Sequence, residues 1–222
     1  MTGAFSPLIE RAAELAAEWH DGTYRKSRWR PTAFHREDGM GPRVPVMAHL
    51  TAVALTVQRA GWDEATVAAA FLHDLLEDPS RDGHFFSAEQ LEAEVGPVVT
   101  QYVRAVTERT FAADGTFRKW IDRKRDYVGV LKTAPAEAVA ISLADKLHNL
   151  WTMNQALEAG TNIFESGPGR KRLSAGPDRQ LWFIDAVLSA TAEHDDARLH
   201  SIRTQLRAER DRFATLTDQA TR

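Results

Sequence analysis

Residues 71–80, FLHDLLEDPS, place His73 beside Asp74 and repeat acid chemistry four positions on with Glu77 and Asp78. Positions four apart share a helix face, so the spacing predicts His73 over Glu77 and Asp74 over Asp78 on one side of a helix. The run before them, Val67 to Leu72, is apolar. Four ionisable groups at the end of an apolar helix cost free energy unless something compensates them, and a divalent cation is the obvious compensation.

Three more stretches carry chemistry. In AVAISLADKLHNLWTM, residues 138–153, Ile141, Asp145 and Asn149 fall on one helix face, which puts a carboxylate on a face that begins apolar. A buried carboxylate is paired, hydrogen-bonded or metal-bound, and Asn149 can donate and accept beside it. VPVMAHL sets His49 on an otherwise apolar helix start, and HDGTYRKS puts Arg25 and Lys26 at the mouth of a loop. Taken singly, each has a plainer reading. His49 reads as a hydrogen-bonded core histidine, Asp145-Lys146 as a solvated face, and Arg25-Lys26 as surface charge. His20 reads as a structural hydrogen-bonding residue, and His35, His84, His148, His194 and His200 as surface or loop residues.

The elements that must position these residues are helical nearly throughout. Ser6-Pro7 is a helix start, followed by an apolar stripe of Leu8, Ala12, Leu15, Ala16 and Trp19. His20 to Pro45 is polar and reads as one long loop. Val46 to Ala60 reads as a helix closed by Gly61, and Asp63 starts the helix that carries the His-Asp pair. Ser87 with Gln90 resembles a capping box, and Gly96-Pro97 separates two further helices. Helices are also expected over Phe117–Lys132, from Pro135 to Ala156, over Asp178–Glu193 and over Asp195–Leu216, with a second loop at 159–177. No convincing period-two strand is present. The expected fold is all-α: one compact multi-helix bundle over residues 1–222, with a core at about 8–195 and a C-terminal helix at about 195–217.

Composition sets outer bounds. The 222 residues fit one domain, and 43% hydrophobic with 27% charged residues supports a substantial core. A net charge of −3 argues against nucleic-acid binding as the main task. With no cysteine, disulfides, zinc-thiolate sites, iron–sulfur clusters and a cysteine nucleophile are excluded. The N-terminus lacks the pattern of a secretory signal and no apolar run is long enough to span a bilayer, so no membrane partner is expected and the expected location is cytoplasmic.

The order His, His-Asp, then Asp on a late helix is similar to the HD phosphohydrolase superfamily. HDGTYRKS, His49, HDLLED and LADKLHNL together resemble, over roughly residues 8 to 195, the hydrolase domain of RelA/SpoT-type alarmone enzymes, including the small stand-alone alarmone hydrolases. The resemblance implies an HD-domain bundle with Mn(II) held by His49, His73, Asp74 and Asp145. It implies that Glu77 and Asp78 orient or deprotonate the attacking water, and that Arg25, Lys26 and Asn149 bind the nucleotide. The residue chemistry agrees, because two imidazoles and two carboxylates form a mixed N/O donor set that suits Mn(II) better than soft metals. There are departures. About twenty residues separate the Arg-Lys pair from His49, Leu50 follows His49, Pro79 follows Asp78, and VTERT at 106–110 lacks a lysine that some relatives carry. These changes border the expected nucleotide pocket and bear on base and phosphate preference.

The function expected is a Mn(II)-dependent pyrophosphohydrolase that removes the 3′-diphosphate of (p)ppGpp or an adenine analogue and releases pyrophosphate. The alternative is an HD phosphohydrolase acting on another nucleotide, such as a nucleoside monophosphate, a dNTP or NADPH. A catalytically silent helical binding module is a third reading, against which the intact set of six His, Asp and Glu residues speaks.

Overall fold

The computed structural model describes residues 4–29, 43–166 and 172–220. Among these residues the chain forms eight helices and one two-stranded sheet. The helices are α1 (Pro7–Trp19), α2 (Val46–Arg59), α3 (Glu64–Leu72), α4 (Ala88–Val106), α5 (Trp120–Leu131), α6 (Ala136–Glu158), α7 (Pro177–Ala190) and α8 (Ala197–Ala220). The mostly helical expectation holds, and helix ends fall within a few residues of those expected except at α3, which stops at Leu72 short of the acidic residues placed on it.

Local chemistry starts these helices where it should. The Ser6 side chain accepts from the Ile9 N–H at 3.3 Å with Pro7 in the first turn of α1. Asp63 Oδ1 accepts from the Thr66 N–H at 2.9 Å at the head of α3. Ser87 and Gln90 close a reciprocal capping box on α4. Gly96, at φ 82° and ψ 169°, breaks α4 into two helical pieces just before Pro97, the separation expected at that dipeptide.

The sheet is a correction. Strands β1 (Tyr24–Trp29) and β2 (Arg43–Pro45) pair antiparallel, Tyr24 opposite Pro45 and Trp29 opposite Arg43 with an irregularity between. They lie inside the segment expected to be loop. Arg25, Lys26, Ser27 and Arg28 show no apolar alternation, so periodicity could not reveal a strand that rests on its pairing partner and on α6. His35, residues 30–42 and residues 167–171 lie outside the described residues, as does the side chain of Lys26.

α6 is the axis of the core. Residues Ala138 through Lys146 are all buried, and α6 packs against α8, α2, α4 and α3. Leu50, Val53 and Val57 of α2, Ala68 to Ala70 of α3 and Val103 of α4 close around it. α8 lies along its other side, burying Leu199, Ile202, Leu206 and Phe213. Asn154 of α6, itself fully buried, donates to the Glu209 carbonyl at 2.9 Å and to its carboxylate at 2.6 Å. The C-terminal helix therefore belongs to the same core. Phe213→Ala would empty a site that is fully buried and in ring contact with Phe164, at a cost of about 3–5 kcal/mol. Urea unfolding should show that loss as a lower midpoint with unchanged slope. A change under 1 kcal/mol would mean that α8 is an appendage.

Candidate metal centre

α3 ends at Leu72, so His73 caps it and Asp74 to Asp78 follow in turns. The shared helix face expected for His73 and Glu77 is thus a pair of tight turns. Leu75 N–H bonds to the Leu72 carbonyl at 2.9 Å, and Glu77 and Asp78 N–H both bond to the Asp74 carbonyl at 3.1 and 2.9 Å. Pro79 keeps the turns from resuming as helix. It lacks an N–H and disfavours helical backbone at Asp78, while Leu72 and Leu75 on either side of His73 and Asp74 are both fully buried.

The turns bring the expected ligands together with residues from two other helices. His49 sits in the first turns of α2, and Asp145 in the buried middle of α6. His49 Nε2 lies 3.1 Å from Asp145 Oδ1, His73 Nε2 lies 3.3 Å from Asp74 Oδ1 and 3.8 Å from Asp145 Oδ1. The donor atoms of His49, His73 and Asp74 fall within 4.8 Å of one another, a group that could hold a metal ion.

The donor chemistry fits a cation. Both Nε2 atoms are buried and have no hydrogen-bond partner among the described residues, although carboxylate oxygens stand near. Each ring is held instead through Nδ1. His73 Nδ1 lies 2.8 Å from the Ala70 carbonyl, which can only accept, so Nδ1 carries the proton and the neutral ring has its lone pair on Nε2. His49 Nδ1 lies 2.7 Å from His148 Nδ1. The sequence reading of His148 as a surface or loop residue is therefore wrong. One turn of helix carries it from Asp145-facing neighbours to the back of His49, a contact between α2 and α6 that sequence spacing cannot show.

Charge around the cluster is arranged in layers. Burial works against an ionised Asp145, but Lys146 and both imidazoles hold its pKa well below the usual carboxylate range. Lys146, expected on a solvated face, is instead buried. It bonds Asp145 at 2.5 Å with its ammonium 4.5 Å from the Tyr127 ring, and its pKa is raised chiefly by Asp145 against the effect of burial. Burial lowers His49 to about 4. Burial also presses on His73, but the charges of Asp74 and Asp145 outweigh it and hold His73 up at about 9. Glu77 is raised to about 7 by burial, then by Asp74 and Glu108.

Of the other expected residues, Asn149 donates to Asp145 Oδ1 at 2.5 Å and accepts from Arg25, so both reach the cluster. Arg25, Asn149 and Glu77 line the same cleft as the imidazoles, a space of about 530 Å³ with its open mouth included. Asp78 does not line it; its carbonyl is held by Trp19 Nε1 at 3.0 Å. Lys26 cannot be placed, its side chain lying outside the described residues. The cleft also holds Lys124, Tyr127 and Glu108, none of which carried a motif. Glu108, buried, pairs with Arg123 and Lys124 of α5 and donates its backbone N–H to Glu77 at 3.3 Å. It stands in VTERT, where the sequence had marked only a missing lysine. His194 lies in the connection between α7 and α8, as expected of a loop residue, with Nε2 2.9 Å from the Leu131 carbonyl; buried His20 has no hydrogen-bond partner for Nε2 among the described residues.

A helical bundle with His on one helix, His-Asp at the end of the next and Asp on a later buried helix is the layout of an HD domain. The HD-domain family model matches residues 30–165, more than half of the chain, and the chain belongs to this family. The resemblance to RelA/SpoT-type proteins extends to particular relatives. A GTP pyrophosphokinase of Streptomyces coelicolor is 32% identical over 145 residues, covering 65% of this chain and 14% of that protein. A probable guanosine-3′,5′-bis(diphosphate) 3′-pyrophosphohydrolase of Synechocystis sp. is 34% identical over 112 residues, covering 50% of this chain and 14% of that protein. The chain thus spans about one seventh of the length of these curated relatives. Among solved structures, a metazoan ortholog of SpoT, described as hydrolysing ppGpp, shares the fold at a TM-score of 0.64 and 22% identity, over 94% of this chain and 96% of that one. A protein of Listeria monocytogenes EGD-e aligns at 0.55 and 24% over 79% of this chain and 95% of that one.

Cation binding must displace the proton that His73 carries below pH 9. At pH 8, where Glu77 is already ionised, divalent metal added to metal-free protein should release about one proton per site. Calorimetry in two buffers of different ionisation heat reads the number directly. A heat independent of buffer would show that His73 gives up no proton to the cation.

Proposed function

We propose that this chain is a divalent-metal-dependent phosphohydrolase, with residues 1–222 working as one domain. It removes the 3′-diphosphate of (p)ppGpp or an adenine analogue and releases pyrophosphate. The observation that carries the reading is the pair of buried imidazole Nε2 atoms without hydrogen-bond partners, set beside Asp74 and Asp145 in a cleft that also holds Arg25, Lys124 and Lys146. Its substrate class is supported by the relatives named for guanosine-bis(diphosphate) hydrolysis and GTP pyrophosphokinase activity.

His49, His73, Asp74 and Asp145 would hold the metal, and their mixed nitrogen and oxygen donors suit Mn(II). When bound, it supplies a Lewis acid for a phosphoryl oxygen and makes water acidic enough to attack at neutral pH. The remaining work falls to the chain. Glu77, with a pKa near 7, can take the proton of an attacking water. Arg25 presents a guanidinium at the cleft, which Asn149 holds in place and which can receive phosphate oxygens. Lys124 and Lys146 add positive charge deeper in the cleft. Asp78, whose side chain does not line the cleft, would act through the turn that presents Glu77 rather than on the water.

A nucleotide panel incubated with Mn(II), with products separated by chromatography, tests the reading. Pyrophosphate released from (p)ppGpp or its adenine counterpart supports it, while turnover confined to monophosphates, dNTPs or NADPH replaces the substrate. Glu77→Gln keeps the shape and removes the base. It should retain metal and lose on the order of 10²–10⁴ in kcat, whereas His73→Ala should lose the metal itself. Equal metal loss in the two variants would make Glu77 a ligand. Arg25→Ala should raise KM at least about tenfold with metal content unchanged, the loss of one charge-assisted contact. Unchanged kinetic constants would place the phosphate elsewhere.

A further inference from the structure

His148 is half-buried on α6, three residues beyond Asp145, and has no place in the catalytic roles above. Its Nδ1 lies 2.7 Å from Nδ1 of His49, and the rings sit 4.9 Å apart, tilted by 40°. His148 is itself backed by Trp151, with ring centroids 5.9 Å apart and planes within 30°. On its other side it lines a cavity between α2, α6 and α8, with Ala52, Thr56 and Gln205.

Two imidazole nitrogens at 2.7 Å can bond only when one of them carries a proton and the other a lone pair. His49 is 1% exposed, so water is not an alternative partner for its Nδ1. If His49 Nδ1–H donates to His148, the lone pair of the neutral His49 ring falls on Nε2, which faces Asp145. If His148 donates instead, His49 carries its proton on Nε2 and cannot ligate. The partner of Nδ1 therefore decides whether His49 offers a lone pair to the cluster.

We propose that His148 is a positioning residue for the metal centre: its Nδ1 accepts from His49 Nδ1–H, which fixes the orientation and the tautomer that present His49 Nε2 to a cation. Trp151 keeps the His148 ring in the plane that this bond requires. His73 is held the same way by a backbone carbonyl, which is always an acceptor. His49 depends on a side chain, and so on a residue that substitution can change.

This inference rests on the metal-site reading, and the test separates the two. His148→Phe keeps a ring against Trp151 and removes the nitrogen. His148→Asn places an amide oxygen at the Nδ1 position, and His148→Gln places its amide at the Nε2 position, out of line with His49. Mn(II) titrated into metal-free protein by calorimetry should bind about 10–100-fold more weakly to the Phe and Gln variants than to the parent, and within a few-fold of the parent for Asn. With saturating Mn(II), KM for the nucleotide should stay at the parent value in all three, which general damage to the fold would not allow. Equal Mn(II) affinity in the parent, Gln and Phe proteins, or equal weakening in Asn and Gln, overturns the role of His148 while leaving the metal centre standing. If Phe does not fold, the Asn and Gln pair decides alone. Failure of the parent to bind Mn(II) or any other divalent ion overturns the metal reading and this inference together.

Discussion

A buried carboxylate in the middle of the central helix sets the terms for everything around it. Asp145 is 7% exposed and meets Lys146, Asn149 and both imidazoles of the cluster. Removing a charge from water costs several kcal/mol even after relaxation, and one ion pair does not generally repay it. The protein surrounds Asp145 with compensation on several sides, and each compensating group comes from a defined element. Lys146 and Asn149 are on α6 itself, His49 on α2 and His73 at the end of α3. Packing of these helices against α6 is thus inseparable from assembling the cluster. The arrangement is costly for stability, since an apolar residue would pack better, and its persistence points to a task.

The backbone follows from the same demand. A regular helix through Asp78 would have kept His73, Glu77 and Asp74 in fixed helical register. Ending α3 at Leu72 lets His73 turn its Nδ1 to the Ala70 carbonyl while Glu77 reaches the N–H of Glu108 on the far wall. β1, pinned against β2, carries Arg25 to Asn149 from a part of the chain more than a hundred residues away. Few of these contacts are local in sequence, and apolar burial along α6 and α8 holds them in place.

This explains what could be read from the sequence. Helix starts were legible at Ser6, Asp63 and Ser87, because a cap is a local interaction between residues two or three apart. The family was legible because HDLLED and LADKLHNL keep residue types that a cation and a water demand. His49, His73, Asp74, Asp145, Arg25 and Asn149 were legible for the same reason, and the structure brings them to one cleft. The turn at 73–78 was misread as helix because i, i+4 spacing is equally compatible with consecutive turns. Lys146 and His148 were misread because each depends on what faces it across a helix interface: for Lys146 the ring of Tyr127, for His148 the ring of His49. Glu108 was noticed only as an absent lysine, since its partners Arg123 and Lys124 lie on another helix.

The cations of the cleft are already engaged when an anion arrives. Lys146 is already paired with Asp145, and Lys124 with Glu108, while Arg25 is bonded to the neutral Asn149. A phosphate arriving at Lys124 or Lys146 must exchange one ion pair for another, so the gain is a difference between two similar interactions. At Arg25 it competes with the Asn149 amide oxygen, one of the groups that hold this guanidinium. Among the described residues four carboxylates line the cleft, Asp74, Glu77, Glu108 and Asp145, against these three cations and a His73 that is protonated below about pH 9. A divalent ion brings two positive charges and displaces one proton from His73, so it leaves the cleft about one charge more favourable to a polyphosphate. Affinity for phosphate would then depend on whether the group of His49, His73 and Asp74 is loaded, and not on the basic residues alone.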